Sequence, residues 1–121
     1  MNIVFYPIEP QFVKIFFSEF FHELGVFFEI ISNDIAIGFY GIKTITEKVC
    51  EISVYIHDKF RKNITKKISL KCLNFPFILG FEKILIRTDL EKIKRFLSKL
   101  SKYGVRYLFK HNNIHWFEVL E

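Results

Sequence analysis

Across residues 50–73, CEISVYIHDKFRKNITKKISLKCL, the hydrophobic period changes from two to about four, and the change falls within a basic loop. Residues 51–56 are β-branched and aromatic, with Ile52, Val54 and Ile56 on one face, which predicts a strand. Ile64, Ile68, Cys72 and Leu73 recur at helical spacing, and Asn63 stands where an N-cap belongs, so a helix is expected from residue 64 toward Leu79. The first-turn N–H groups of a helix have no partners within it and point outward, so a strand that enters a helix through a basic loop makes an anion site. The same residues also describe an ordinary strand-to-helix connection with solvated lysines.

A chain of 121 residues is one domain, 1–121, built on one core. Half of its residues are hydrophobic, which excludes a disordered chain. The 16 Phe against one Trp fit an AT-rich coding sequence and are not taken as a binding signal. The net charge of +5 gathers in residues 59–71, where Lys59, Arg61, Lys62, Lys66, Lys67 and Lys71 occur with no acid between them. Such a field attracts a polyanion: a phosphorylated cofactor, a nucleic acid or an acidic protein face.

Cys50 and Cys72 form no CxxC pair and have no metal-ligand spacing, as expected of a reduced cytoplasmic protein without a metal site. The N-terminus lacks the pattern of a secretory signal. Residues 12–28 are broken by Lys14, Glu19, His22 and Glu23, so they read as an amphipathic helix and a strand instead of a membrane span.

In chain order, residues 2–6 are a first strand stopped by Pro7. A helix over 9–24 follows, with Phe12, Ile15, Phe16, Phe20 and Leu24 buried and Gly25 ending it in the left-handed conformation. Residues 26–32, 35–45 and 48–56 form an antiparallel meander through turns at Asn33-Asp34 and Thr46-Glu47, and Gly38 and Gly41 mark a bulge or a close backbone approach. Pro76 bends or shortens the central helix. Residues 81–88 form a strand parallel to 48–56, because a helix connects the two. Asp89 caps a helix over 90–103, whose inner face carries Ile93, Phe96, Leu97 and Leu100, and Gly104 ends it. Residues 105–110 and 114–120 close the chain as a hairpin. The order β-α-β-β-β-α-β-α-β-β is a mixed, mostly antiparallel α+β sheet flanked by helices.

That order, with CEISVYI, HDKFRKN, ITKKISLKCLNFPFILG, FEKILIRTD and YGV in sequence, resembles the Gcn5-related N-acetyltransferase (GNAT) superfamily, in its short phage and bacterial form, over about residues 26–120. The resemblance implies an enzyme that moves an acetyl group from acetyl-CoA to an amine by direct attack. The family's pyrophosphate loop is matched by Arg61 at its first position, while Ile64 and Lys66 stand where the family has small residues, so the loop is degenerate. On this resemblance the diphosphate lies on Arg61, Lys62, Asn63, Ile64, Thr65 and Lys66. The pantetheine amides pair with the backbone of Val54, Tyr55 and Ile56, and Glu51 is the general base. The family's usual general acid, a Tyr in the last helix, is replaced by Leu100.

The alternatives are a Glu51 that is solvated or paired with Lys48, and an inactive binding or inhibitory protein of the same fold that applies its basic patch to an acidic protein or nucleic acid. His111 and His115 are expected at a turn on the surface, and Trp116 in the core or on a sheet face. The apolar closing hairpin would suit a homodimer. The acceptor amine is not legible.

Overall fold

The computed structural model describes residues 2–63 and 65–121, with the side chain of Asn63 also outside that description. Strands β1 (Ile3–Ile8), β2 (Gly25–Ser32), β3 (Ile35–Thr44), β4 (Val49–Ile56), β5 (Lys83–Thr88), β6 (Val105–His111) and β7 (Ile114–Leu120) make one sheet. Their order is β1-β2-β3-β4-β5-β7-β6, and β4 with β5 is a parallel pair in an otherwise antiparallel sheet. The expected α+β class and element order are those observed. Both short hairpins use two residues at positive φ, Asn33-Asp34 and Asn112-Asn113, as the right-handed twist of the flanking strands requires.

The register divides the side chains between two faces. Helices α2 (Lys66–Ile78) and α3 (Glu91–Ser98) cover one of them, burying Ile30, Ile42, Ile52, Ile84, Phe117 and Val119 with Cys72, Leu73 and Leu97. Each such side chain contributes about 1.5–3 kcal/mol by leaving water. On the other face the segment around Val13 and a short helix, α1 (Glu19–Leu24), cover only the β2–β4 half, where Val13 and Phe21 cluster with Phe27 and Phe39.

Several expectations are corrected. The first strand continues through Pro7 to Ile8, which is tolerable because β1 is an edge strand and the missing N–H breaks no central ladder. The helix expected over 9–24 is two 3-10 turns, Pro10–Phe12 and Lys14–Phe16, and then α1, because Phe17 and Ser18 are extended and the Ser18 hydroxyl caps α1 by accepting from Phe21 N–H. That break shifts the helical phase. Val13 and Phe21 are buried, whereas Phe12, Ile15, Phe20 and Leu24 face solvent. Gly25 does not end α1 in the left-handed region; it is extended and opens β2.

Helix α2 starts at Lys66, capped by Thr65 instead of Asn63, and residues 58–63 form a 3-10 turn. Ile64, the expected first helical residue, lies outside the described residues. Pro76 does not end α2 early. The helix passes through it to Ile78, and the buried Tyr40 hydroxyl donates to the Cys72 carbonyl, the acceptor that residue 76 would have used. Leu90, not Asp89, is the N-cap of α3, which ends at Ser98 and is followed by a 3-10 turn, Ser101–Tyr103. Leu97 and Leu100 are buried as expected, while Ile93 and Phe96 are exposed. Gly104 is left-handed, and a Cβ there would meet the Leu120 carbonyl.

Gly38 satisfies both readings given to it. The β2–β3 register slips beside it, leaving Ile37 as the extra residue, and a Cβ on Gly38 would lie 2.1 Å from the Tyr55 carbonyl oxygen. The glycine therefore sets how closely β4 approaches β3.

Candidate functional site

The parallel strands β4 and β5 pair only at Val49–Lys83, Cys50–Ile84 and Glu51–Leu85. Beyond Glu51 they part, so residues 52–56 and 86–88 face each other across a gap. The ladder to β3 tells which backbone groups face that gap. His57 N–H donates to the Ile37 carbonyl at 2.9 Å and Ile45 N–H to the Val49 carbonyl at 2.9 Å, so the odd-numbered residues of β4 bond to β3 and the even-numbered ones point away from it. Val54 and Ile56 thus present backbone groups to the gap. Tyr55 is directed at its partner Phe39 on β3.

At the mouth of the gap, the 3-10 turn and α2 follow β4 directly. Lys62, Thr65, Lys66 and Lys67 are exposed there, and the Thr65 hydroxyl accepts from Ile68 N–H at 3.3 Å. The first N–H groups of α2 therefore open toward solvent among lysines. Arg61 is engaged elsewhere: Nε donates to the Ile56 carbonyl at 2.9 Å, a terminal nitrogen pairs with Asp58 at 3.0 Å, and the guanidinium lies 5.5 Å from the Tyr55 ring centre. Tyr103 reaches the same helix end. Lys66 Nζ lies 4.8 Å from its ring centre, and the hydrogen bond from that lysine brings its hydroxyl below the ordinary phenol value of 10.0. A groove of about 680 Å³ runs along α2 between Lys66 and Ile78, bordering the helix start but not the gap.

At the closed end of the gap, Glu51 is 4 % exposed. Its Oε1 pairs with Lys43 Nζ at 3.3 Å and its Oε2 with Arg87 Nε at 2.9 Å. The expected alternative partner, Lys48, pairs with Glu82 at the surface instead. The Lys43 ammonium, itself buried, lies 4.5 Å from the centre of the Phe20 ring, and the Arg87 guanidinium 5.6 Å from that of Trp116.

No family model and no curated protein matches the sequence. Solved structures match over nearly the whole chain. An IAA acetyltransferase from Bacillus cereus superposes with a TM-score of 0.72 at 15% identity, covering 99% of this chain and 100% of that one. A GNAT family acetyltransferase from Elizabethkingia anophelis with acetyl-CoA bound gives 0.70 at 16% identity, covering 99% of each chain. A mutant form of spermidine N-acetyltransferase from Vibrio cholerae gives 0.72 at 14% identity, covering 98% of this chain and 93% of that one. The chain has the GNAT fold. The likeness runs over at least 93% of each of these chains and 98% or more of this one.

Within the GNAT fold, the expected site residues divide into groups. Val54 and Ile56 line the gap, Lys62, Thr65 and Lys66 surround its mouth, and Glu51 closes it. Arg61 and Tyr55 point their polar groups elsewhere, and Ile64 and the Asn63 side chain lie outside the described residues. Lys43, Arg87 and Tyr103 were not legible as site residues. The hairpin at Thr46-Glu47 could have placed Lys43 opposite Glu51, but Arg87 needed the parallel register, which no local pattern encodes. His115 is not a surface residue: it is 4 % exposed and bonds the Glu91 carboxylate through Nε2 at 2.9 Å and the Tyr107 hydroxyl through Nδ1 at 3.1 Å. That contact holds the Glu91 carboxyl below the ordinary 4.5. Among the described residues no group of three His, Cys, Asp or Glu side chains could hold a metal ion, and no helix is long and apolar enough to cross a membrane.

Proposed function

We propose that the protein transfers an acetyl group from acetyl-CoA to an acceptor amine by direct attack of the amine on the thioester. The observation that carries this reading is the end of β4–β5 pairing at Glu51, which leaves the N–H and C=O of Val54 and the N–H of Ile56 facing the gap, where an extended amide chain can pair with them. The residues present fit the cofactor. A pantetheine arm has amides for such an edge, and its diphosphate suits the open first turn of α2 among Lys62, Lys66 and Lys67. The Ile56 carbonyl already accepts from Arg61, so Val54 and the Ile56 N–H are the groups best placed for the arm. Lys66 occupies a position where the family has a small residue, yet as the first residue of α2 it still offers its N–H outward.

Glu51 is the base in this reading. Its two ion pairs fix the carboxylate at the apex of the gap, where the thioester of an inserted acetyl-CoA would end, and it takes the proton released as the amine adds to the carbonyl carbon. The leaving thiolate takes a proton from solvent. Calorimetric titration with acetyl-CoA tests the proposal: saturable heat with one site per chain is expected. No heat and no thermal stabilisation at millimolar acetyl-CoA would overturn it.

A further inference from the structure

The face of the sheet opposite α2 and α3 is covered by α1 only as far as β4, so the β5–β7 part of that face is open. One row of residues in register crosses it: Lys43 on β3, Glu51 on β4, Leu85 on β5, Glu118 on β7 and Arg106 on β6. Lys83 and Arg87 flank Leu85 on the same side of β5. Each buried carboxylate in this row is held by two bases. Glu51 lies between Lys43 and Arg87, and Glu118 between Lys83 and Arg106. Burial pushes the Glu118 carboxyl up, but hydrogen bonds from Lys83 and Arg106 outweigh it and bring the group below 4.5. Four bases against two acids leave an excess of positive charge along this row.

Arg87 is the base with donors to spare. It meets Glu51 through Nε and rests on the Trp116 ring, its side chain is 33 % exposed, and among the described residues no second carboxylate pairs with it. A partly exposed guanidinium backed by an aromatic ring can match the geometry of a carboxylate. A polyamine brought to the same place would meet the like charge of Arg87.

We infer that the acceptor is an amine bearing a carboxylate, which Arg87 binds on the open face of the sheet beside Glu51. The inference rests on the proposed acetyl transfer and names its acceptor class. It sets this chain apart from the spermidine N-acetyltransferase that shares its fold.

The test is CoA release by the full chain with acetyl-CoA and matched acceptor pairs, an amino acid against its carboxamide (glycine and glycinamide, phenylalanine and its amide), with spermidine alongside. The expected result is a kcat/KM at least tenfold higher for the carboxylate member, per concentration of free amine, with spermidine poorer still. In Arg87→Met that ratio should fall to within twofold, whereas disturbance of Glu51 would slow both members alike and leave the ratio intact. Equal or better use of the carboxamides or spermidine, no turnover of any carboxylate-bearing amine, or a preference that survives Arg87→Met would overturn the inference. Acetyl-CoA binding is followed in parallel by calorimetry. Binding without the carboxylate preference sinks the acceptor assignment alone, and no binding sinks the acetyl transfer beneath it.

Discussion

The Tyr40 hydroxyl donates to the Cys72 carbonyl oxygen at 2.7 Å, across the interface between β3 and α2. Pro76 has no N–H to give to that carbonyl, four residues before it, and both Tyr40 and Pro76 are fully buried. An unpaired carbonyl there would carry its whole desolvation cost, so the tyrosine does what the helix cannot. Burial holds the Tyr40 phenol well above 10.0, which keeps it a donor. The same contact ties α2, whose first turn is the proposed diphosphate site, to the strand beside β4.

Tyr40→Phe should therefore cost about 1–3 kcal/mol in urea unfolding, since it leaves the Cys72 carbonyl without a partner. Adding Pro76→Ala restores an N–H at the right place in the helix. The two changes should be non-additive, with about 1 kcal/mol or more recovered in the double mutant. Strict additivity across the four proteins would show that the hydroxyl is not compensating for the proline.

Glu51→Gln separates chemistry from binding. Loss of the base should lower kcat about 100-fold or more. The acetyl-CoA Kd should stay within about twofold, because none of the proposed cofactor contacts uses this side chain. Removing the charge also strands Lys43, which is 5 % exposed, and a stability loss of up to about 3 kcal/mol is expected by thermal unfolding. An unchanged kcat in a folded protein would remove Glu51 from the mechanism.

Gly38→Ala probes the approach of β4 to β3. A Cβ that would lie 2.1 Å from the Tyr55 carbonyl oxygen and 2.9 Å from Ile56 Cα cannot be relieved by a side-chain rotation, because both are backbone atoms. A loss of about 1–3 kcal/mol is expected from the displaced strand. Weaker acetyl-CoA binding should accompany it, since Val54 and Ile56 lie on that strand. Wild-type affinity with wild-type stability would mean that β4 tolerates the shift.

Burial pushes the thiols of Cys50 and Cys72 up from 9.0 to about 12. Their contribution to stability is complete below pH 9 and is lost as pH rises toward 12, because the unfolded chain releases these protons first. The expected slope in that window is about 1.4 kcal/mol per pH unit for each thiol, seen as a falling urea midpoint. At pH 8 a thiol reagent should label neither cysteine until denaturant is added.

Much of the architecture is written in local pattern. Alternating β-branched residues in 49–56, Asn-Asp and Asn-Asn turns, and the run from strand through basic turn to helix specify the meander, the parallel crossover and the closing hairpin, because periodicity and turn chemistry act over a few residues. Residues 9–24 depart from their local pattern for the same reason. Phenylalanine at helical spacing satisfies a helix and two 3-10 turns equally well, and only packing on Phe27 and Phe39 brought Val13 and Phe21 inward.

For the candidate site, the sequence by itself determined which elements meet at the mouth of the gap: a strand, six basic residues from 59 to 71 and an open helix start. The tertiary structure alone decided that β4 and β5 part after Glu51, that Arg87 lies against that carboxylate, and that Arg61 turns back to the Ile56 carbonyl. The physical reason for the first two is that they depend on register between segments more than thirty residues apart, while the third is a side-chain rotamer choice that no periodicity encodes. A slip of one residue would send every side chain of β5 to the other face, and nothing within either strand fixes that choice.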